Sequence, residues 1–147
     1  MSKEVRLAAM NLLARREHSQ QELQRKLLSK GFESTDIKPV LARLAEQGLL
    51  SDARFTEAFI NSRLKRGSGP IRIAMELQER GIGDDLVSAY LDERDVQWTQ
   101  SAVAVRTKRF GPSLPNDFKE RVRQMRFLQY RGFTLQQIQQ AVGEEID

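Results

Sequence analysis

Three glycines, Gly31, Gly81 and Gly132, recur in this chain at intervals of 50 and 51 residues, each inside the same local pattern. Four residues before each stands a leucine (Leu27, Leu77, Leu128), and directly before each a basic residue (Lys30, Arg80, Arg131). Directly after comes a large apolar residue (Phe32, Ile82, Phe133), followed at fixed offsets by Ile37, Val87 or Ile138 and then by Leu41, Leu91 or Val142. Recurrence with such a period marks repeated supersecondary units. A glycine after a helical stretch takes the left-handed conformation that closes a helix, and a cation in the last turn suits the helix dipole. The later apolar pair is one helical turn apart. Each copy therefore reads as helix, glycine turn, helix.

A further helix precedes each pair. Val5, Ala9 and Leu12, like Trp98, Ala102 and Val105, are spaced for one face of a helix, and Phe55 and Phe59 are four apart. Ser19–Glu22 and Thr134–Gln137 have the form of capping boxes, Ser51 suits an N-cap, and Gly69-Pro70 places proline at a first helical position. Pro39 fits near the first turn of its helix. Strand alternation is nearly absent. The expected fold is all-α, with three tandem three-helix repeats (1–51, 52–94 and 95–147) stacked into an elongated, curved, right-handed-type solenoid. Hinges are expected at Lys65–Pro70 and Gly111–Pro115.

Several functions are excluded by what the 147 residues lack. With no cysteine there is neither disulfide nor thiolate chemistry, and the single His18 removes any polyhistidine metal site. His18 precedes a helix cap and is expected as a solvent-exposed turn residue. The neighbouring carboxylates Asp84-Asp85, Asp92-Glu93 and Glu144-Glu145 point to different helix faces, as caps and solvated surface do. Gly67-Ser68-Gly69-Pro70 lacks the spacing of a phosphate-cradling loop. No enzyme, cofactor or metal is expected. No apolar run reaches the ~20 residues of a membrane span, and no secretory signal opens the chain, so a cytoplasmic, monomeric protein is expected.

Charge is the remaining handle. Lys and Arg number 24 against 20 Asp and Glu, and the excess is concentrated. Between 106 and 131, eight cations (Arg106, Lys108, Arg109, Lys119, Arg121, Arg123, Arg126, Arg131) face only Asp117 and Glu120. Such a patch steers polyanions or acidic proteins. Basic pairs also end the first helix of each repeat: Arg15-Arg16, Lys65-Arg66 and Lys108-Arg109. The first two pairs read equally as C-terminal capping and as a recurring line of phosphate contacts, while Lys108-Arg109 belongs to the 106–131 cluster, read as binding. Arg25, Lys26, Arg54, Arg63 and Arg72 complete the candidate contacts for a partner or nucleic acid. Of the nearby aromatics, Phe118 shares a core-type spacing with Val122 and Met125, whereas Phe127 and Tyr130 are open as contacts.

The first repeat carries Leu12-Leu13-Ala14-Arg15-Arg16-Glu17-His18-Ser19, Glu22-Leu23, Lys26-Leu27 and Lys30-Gly31-Phe32. The second carries Asp52-Ala53-Arg54-Phe55-Thr56, Arg63, Gly69-Pro70-Ile71-Arg72 and Arg80-Gly81-Ile82. Together these resemble the bacterial RecX family of RecA modulators, closely over the first two repeats and in character over the third. Ser51 stands where that family often has an acidic residue. The resemblance implies a non-catalytic protein that binds the RecA filament on DNA, with weak binding to single- or double-stranded DNA alone. It implies suppression of strand exchange, ATP hydrolysis and coprotease activity by lying in the filament groove or blocking filament growth, and so a place in recombination, repair and the SOS response. Two other readings stand beside it. One is a winged-helix transcription regulator, which requires two strands after Leu50. The other is a helical-repeat scaffold without nucleic-acid contact.

Overall fold

The computed structural model describes residues 2–143. The Glu144-Glu145 pair lies outside the described residues. Within them the chain forms nine α-helices and no strand: α1 (Ser2–Leu13), α2 (Gln20–Ser29), α3 (Ser34–Glu46), α4 (Asp52–Lys65), α5 (Pro70–Glu79), α6 (Asp84–Tyr90), α7 (Val96–Phe110), α8 (Phe118–Arg131) and α9 (Leu135–Val142). The all-α expectation holds, and the strands of a wing do not occur among the described residues.

All three anchor glycines close the same motif. Each has positive φ, at 98°, 82° and 100°. The amide after each (Phe32, Ile82, Phe133) donates to the carbonyl of the leucine in the pattern (Leu27, Leu77, Leu128). This is a Schellman closure, which satisfies carbonyls that a helix end leaves orphaned. The three leucines are fully buried. Both capping boxes form, on Ser19 and Thr134, and the Ser51 hydroxyl accepts from the Arg54 amide at 3.1 Å. Each such cap contributes about 1 kcal/mol. Pro39 lies inside α3, at its sixth residue and thus one turn later than expected.

The helices form two compact units, described residues up to 59 with 77–87, and 60–76 with described residues from 88 on. The stretch 52–94 is thus distributed over both. In the first unit, α1, α2 and α3 enclose Val5, Ala9, Leu23, Leu27, Ile37, Leu41 and Leu44. Here the Gly81 turn docks on the first turn of α2. The Ser19 hydroxyl donates to the Arg80 carbonyl at 2.8 Å, and a Cβ on Gly81 would lie 2.7 Å from Gln21 Cβ. The Arg80 guanidinium lies 4.8 Å from the Phe59 ring centroid.

In the second unit, Ala102, Leu128, Phe133, Ile138, Ala141 and Val142 form the core between α7, α8 and α9. The same docking recurs there on the first turn of α5. The Gly69 amide donates to the Arg131 carbonyl at 2.7 Å and the Ile71 amide to the Gly132 carbonyl at 2.9 Å. A Cβ on Gly132 would lie 2.3 Å from Arg72 Cβ and 2.7 Å from its backbone nitrogen. The start of α8 differs: its N-cap, Asp117, is a carboxylate that accepts from Glu120 N.

The Lys65–Pro70 segment is therefore not a hinge. Gly67 through Pro70 are buried, and backbone bonds clamp the segment to the end of α8. His18 also departs from expectation: it is 1% exposed. Residues just before an N-cap often turn inward against their helix. Its Nε2 lies 2.9 Å from Lys26 Nζ, and since an ammonium only donates, Nε2 accepts. Nδ1–H then donates to the Arg16 carbonyl at 3.1 Å, so the imidazole is neutral. Burial holds its pKa below the ordinary histidine value, aided by the Arg16 and Lys26 charges.

Candidate nucleic-acid interface

The first unit absorbs most of its candidate cations. Arg16 forms an ion pair with Glu22 at 2.8 Å, and Arg54 reaches Glu17 at 2.9 Å and the Gly48 carbonyl at 2.8 Å. Arg25 donates to the Glu79 carbonyl at 3.4 Å, and Lys26 donates to His18. Burial works against a charged Glu22. The Arg16 guanidinium and the Ser19 amide outweigh it and lower the carboxyl pKa. Burial and then the Arg16 charge lower the pKa of Lys26. Arg15 alone of this set is exposed with no side-chain hydrogen bond or ion pair among the described residues.

In the second unit, several expected contacts are internal as well. Arg63 pairs with Glu76 at 3.2 Å, with both side chains mostly covered. Arg72 pairs with the same carboxylate at 3.6 Å and lies 5.2 Å from the centroid of the exposed Tyr130 ring. Arg121 donates to the Gly143 carbonyl, and Arg123 pairs with Glu120 at 3.0 Å. Arg106 is a correction. It is 2% exposed and donates to the Ser113 carbonyl at 3.1 Å, while its Nε is buried without a partner among the described residues. Its role is to hold the 111–113 loop, and it presents no charge at the surface. Phe118 is the reverse: expected in the core, it is 75% exposed. The buried face of α8 carries Gln124 and Leu128 instead.

The remaining cations converge. Lys65 and Arg66 at the end of α4, Lys108 and Arg109 near the end of α7, and Arg131 at the end of α8 surround a groove of about 390 Å³. Leu64, Val105 and Phe127 supply its apolar wall, and no carboxylate lines it. The side chains of Lys65, Arg66 and Lys108 have no hydrogen-bond or ion-pair partner among the described residues. The Arg109 and Arg131 guanidinia lie 5.7 and 5.1 Å from the Phe127 centroid, so Phe127 is a wall between two cations and not a free stacking face. Arg131 also donates to the Arg66 carbonyl at 3.0 Å, tying the two helix ends together. Capping and anion attraction are thus divided by residue: Arg131 caps the end of α4, while Lys65, Arg66 and Lys108 project. Leu64, Gly67 and Ser101 also line the groove. Only Gly67 carries a sequence signal, as a glycine directly after a basic pair. Lys119 and Arg126 are exposed elsewhere on α8 without a side-chain hydrogen bond or ion pair among the described residues.

The order of the helical trios is matched in known proteins. Residues 6–44, 51–91 and 95–142 match the first, second and third three-helix domains of RecX, respectively. The chain belongs to the RecX family. Regulatory protein RecX of Halorhodospira halophila is 49% identical over 142 residues, covering 97% of this chain and 88% of that protein. Regulatory protein RecX of Pseudomonas entomophila is 46% identical over 134 residues, covering 91% and 86%. The fold is that of RecX crystal structures. The RecX of Lactobacillus salivarius superposes with a TM-score of 0.77 at 19% identity, covering 93% of this chain and 91% of that one. A second regulatory protein RecX gives 0.78 at 17% identity, covering 92% and 70%. This RecX-family chain is thus related to regulators. Among the described residues no group of three or more His, Cys, Asp or Glu is placed to hold a metal, and no helix is long and apolar enough to cross a membrane.

Proposed function

We propose that this RecX-family protein binds the RecA filament on DNA and inhibits its strand exchange, ATP hydrolysis and coprotease activities, lying in the filament groove or blocking growth. It acts in the cytoplasm as a non-catalytic monomer built of the repeats 1–51, 52–94 and 95–147. What carries the reading is the family membership, combined with a set of cations that the fold leaves uncompensated. Arg15, Lys65, Arg66, Lys108, Arg109, Lys119 and Arg126 project charge that no internal carboxylate neutralises. Such charges are drawn to phosphates and to acidic protein surface.

The test is a titration of RecA's single-stranded-DNA-stimulated ATPase with the purified chain. Inhibition below one chain per RecA protomer is expected, and unchanged hydrolysis at equimolar protein overturns the reading. Direct binding to single-stranded DNA should weaken with salt by a log–log slope of roughly −0.7 per phosphate contact. A zero slope alongside intact ATPase inhibition favours instead a partner scaffold that contacts only protein.

A further inference from the structure

We propose that the groove at the ends of α4, α7 and α8 is a nucleotide site: it takes two or more neighbouring phosphates on its cations and the attached nucleoside against its apolar wall. This goes beyond the recombinase reading and stands independently of it. The groove's volume of about 390 Å³ lies in the range of small-ligand sites. A surface that tracks a strand spreads its cations along a line. Here the cations close around one space, because three helix ends meet there.

The site is charged and built. The charged side chains of Lys65, Arg66 and Lys108 have no partner among the described residues, and no Asp or Glu lines the groove. Neighbouring phosphates therefore meet several unopposed cations at once. The Phe127 ring, with the Arg109 and Arg131 guanidinia within 6 Å of its centroid, sets planar groups along one wall, and a guanidinium plane stacks a base. Ser101 adds a hydroxyl to the lining. The frame is fixed in advance. Arg131 bonds the Arg66 carbonyl, and Gly67 packs so closely on Val105 that a Cβ there would lie 3.0 Å from Val105 Cγ2. The loop carrying Lys65 and Arg66 is therefore held in place before any ligand arrives.

Neighbouring phosphates beside a base come either from a free nucleotide or from a nucleic-acid strand, and calorimetric titration of the full chain at low salt separates the two. The probes are ADP, AMP, inorganic pyrophosphate and an oligothymidylate. One ADP per chain is expected, with AMP and pyrophosphate each about tenfold weaker. The double variant Lys65→Ala/Lys108→Ala, with its circular dichroism unchanged, should lose ADP binding by at least about tenfold. Lys38→Ala, an exposed cation of the first unit, should not. Displacement of the oligothymidylate by ADP would place both at this groove and support the proposal. Binding of the oligothymidylate without ADP overturns it, as does equal affinity for pyrophosphate and ADP, or ADP binding indifferent to Lys65 and Lys108. ADP binding in a chain that leaves RecA's ATPase untouched would sustain the site and sink the recombinase reading.

Discussion

Gly31→Ala and Gly81→Ala test whether the anchor glycines serve only to close helices or also to join one trio to the next. Both lie in the first compact unit and share left-handed φ, 98° and 82°. Placing alanine there costs about 1–2 kcal/mol from backbone conformation alone. At Gly31 nothing stands within 4 Å of the new methyl, so that is the whole cost. At Gly81 the methyl would lie 2.7 Å from Gln21 Cβ, on the turn that Ser19 binds. Overpacking adds about 1–3 kcal/mol. Gly132→Ala meets the backbone of Arg72 as well as its Cβ and should be the most damaging. At roughly 2–4 °C of melting temperature per kcal/mol for a chain of this size, urea and thermal unfolding resolve the differences. Hydrogen exchange of the α2 first-turn amides should accelerate in Gly81→Ala and not in Gly31→Ala. Equal losses at Gly31 and Gly81 would refute the docking role and reduce both to helix closure.

Lowering pH should destabilise the first unit through His18. Its folded pKa lies below the unfolded value of 6.5, so its contribution is intact above that pH and is lost as pH falls toward the folded pKa. A His18→Gln variant should lose this part of the pH dependence of urea unfolding. Glu22, also lowered in the folded state, contributes stability that is present above its ordinary 4.5 and lost below it, a separable acid limb. Arg106→Met should leave the salt slope of DNA binding unchanged while making the 111–117 loop protease-sensitive, at a cost of about 1–3 kcal/mol for its lost hydrogen bonds. Glu76→Ala removes the carboxylate shared by Arg63 and Arg72 and should cost about 1–2 kcal/mol, between exposed and buried ion pairs, read by chemical denaturation.

The helices and their ends were legible because their chemistry is local. A glycine four residues after a leucine, or a serine three before a glutamate, states its hydrogen bond in the sequence. The docking was not, because its two sockets share a geometry and no residue type: one donor is the Ser19 hydroxyl, the other the Gly69 amide. Sequence comparison of 19 with 69 sees only difference. The basic cluster was legible as charge and not as surface. Arg106 continues the four-residue spacing of Trp98 and Ala102 along the buried face of α7, a signal outweighed by its own charge. Phe118 misled in the opposite sense, since Leu128 and not the aromatic sets which side of α8 turns inward. His18 sits under its helix because Lys26, two turns away, reaches back to it, and no window of a few residues contains that pair.

The joint between trios has a direction. The start of one middle helix offers a donor, and the end of the next offers a carbonyl beneath a glycine, so trios add in one order and cannot be reversed. At the start of α8 the Asp117 carboxylate accepts from the Glu120 amide. Exchanging the trios would part each donor from its carbonyl, so their sequence along the chain is written into the bonds between them.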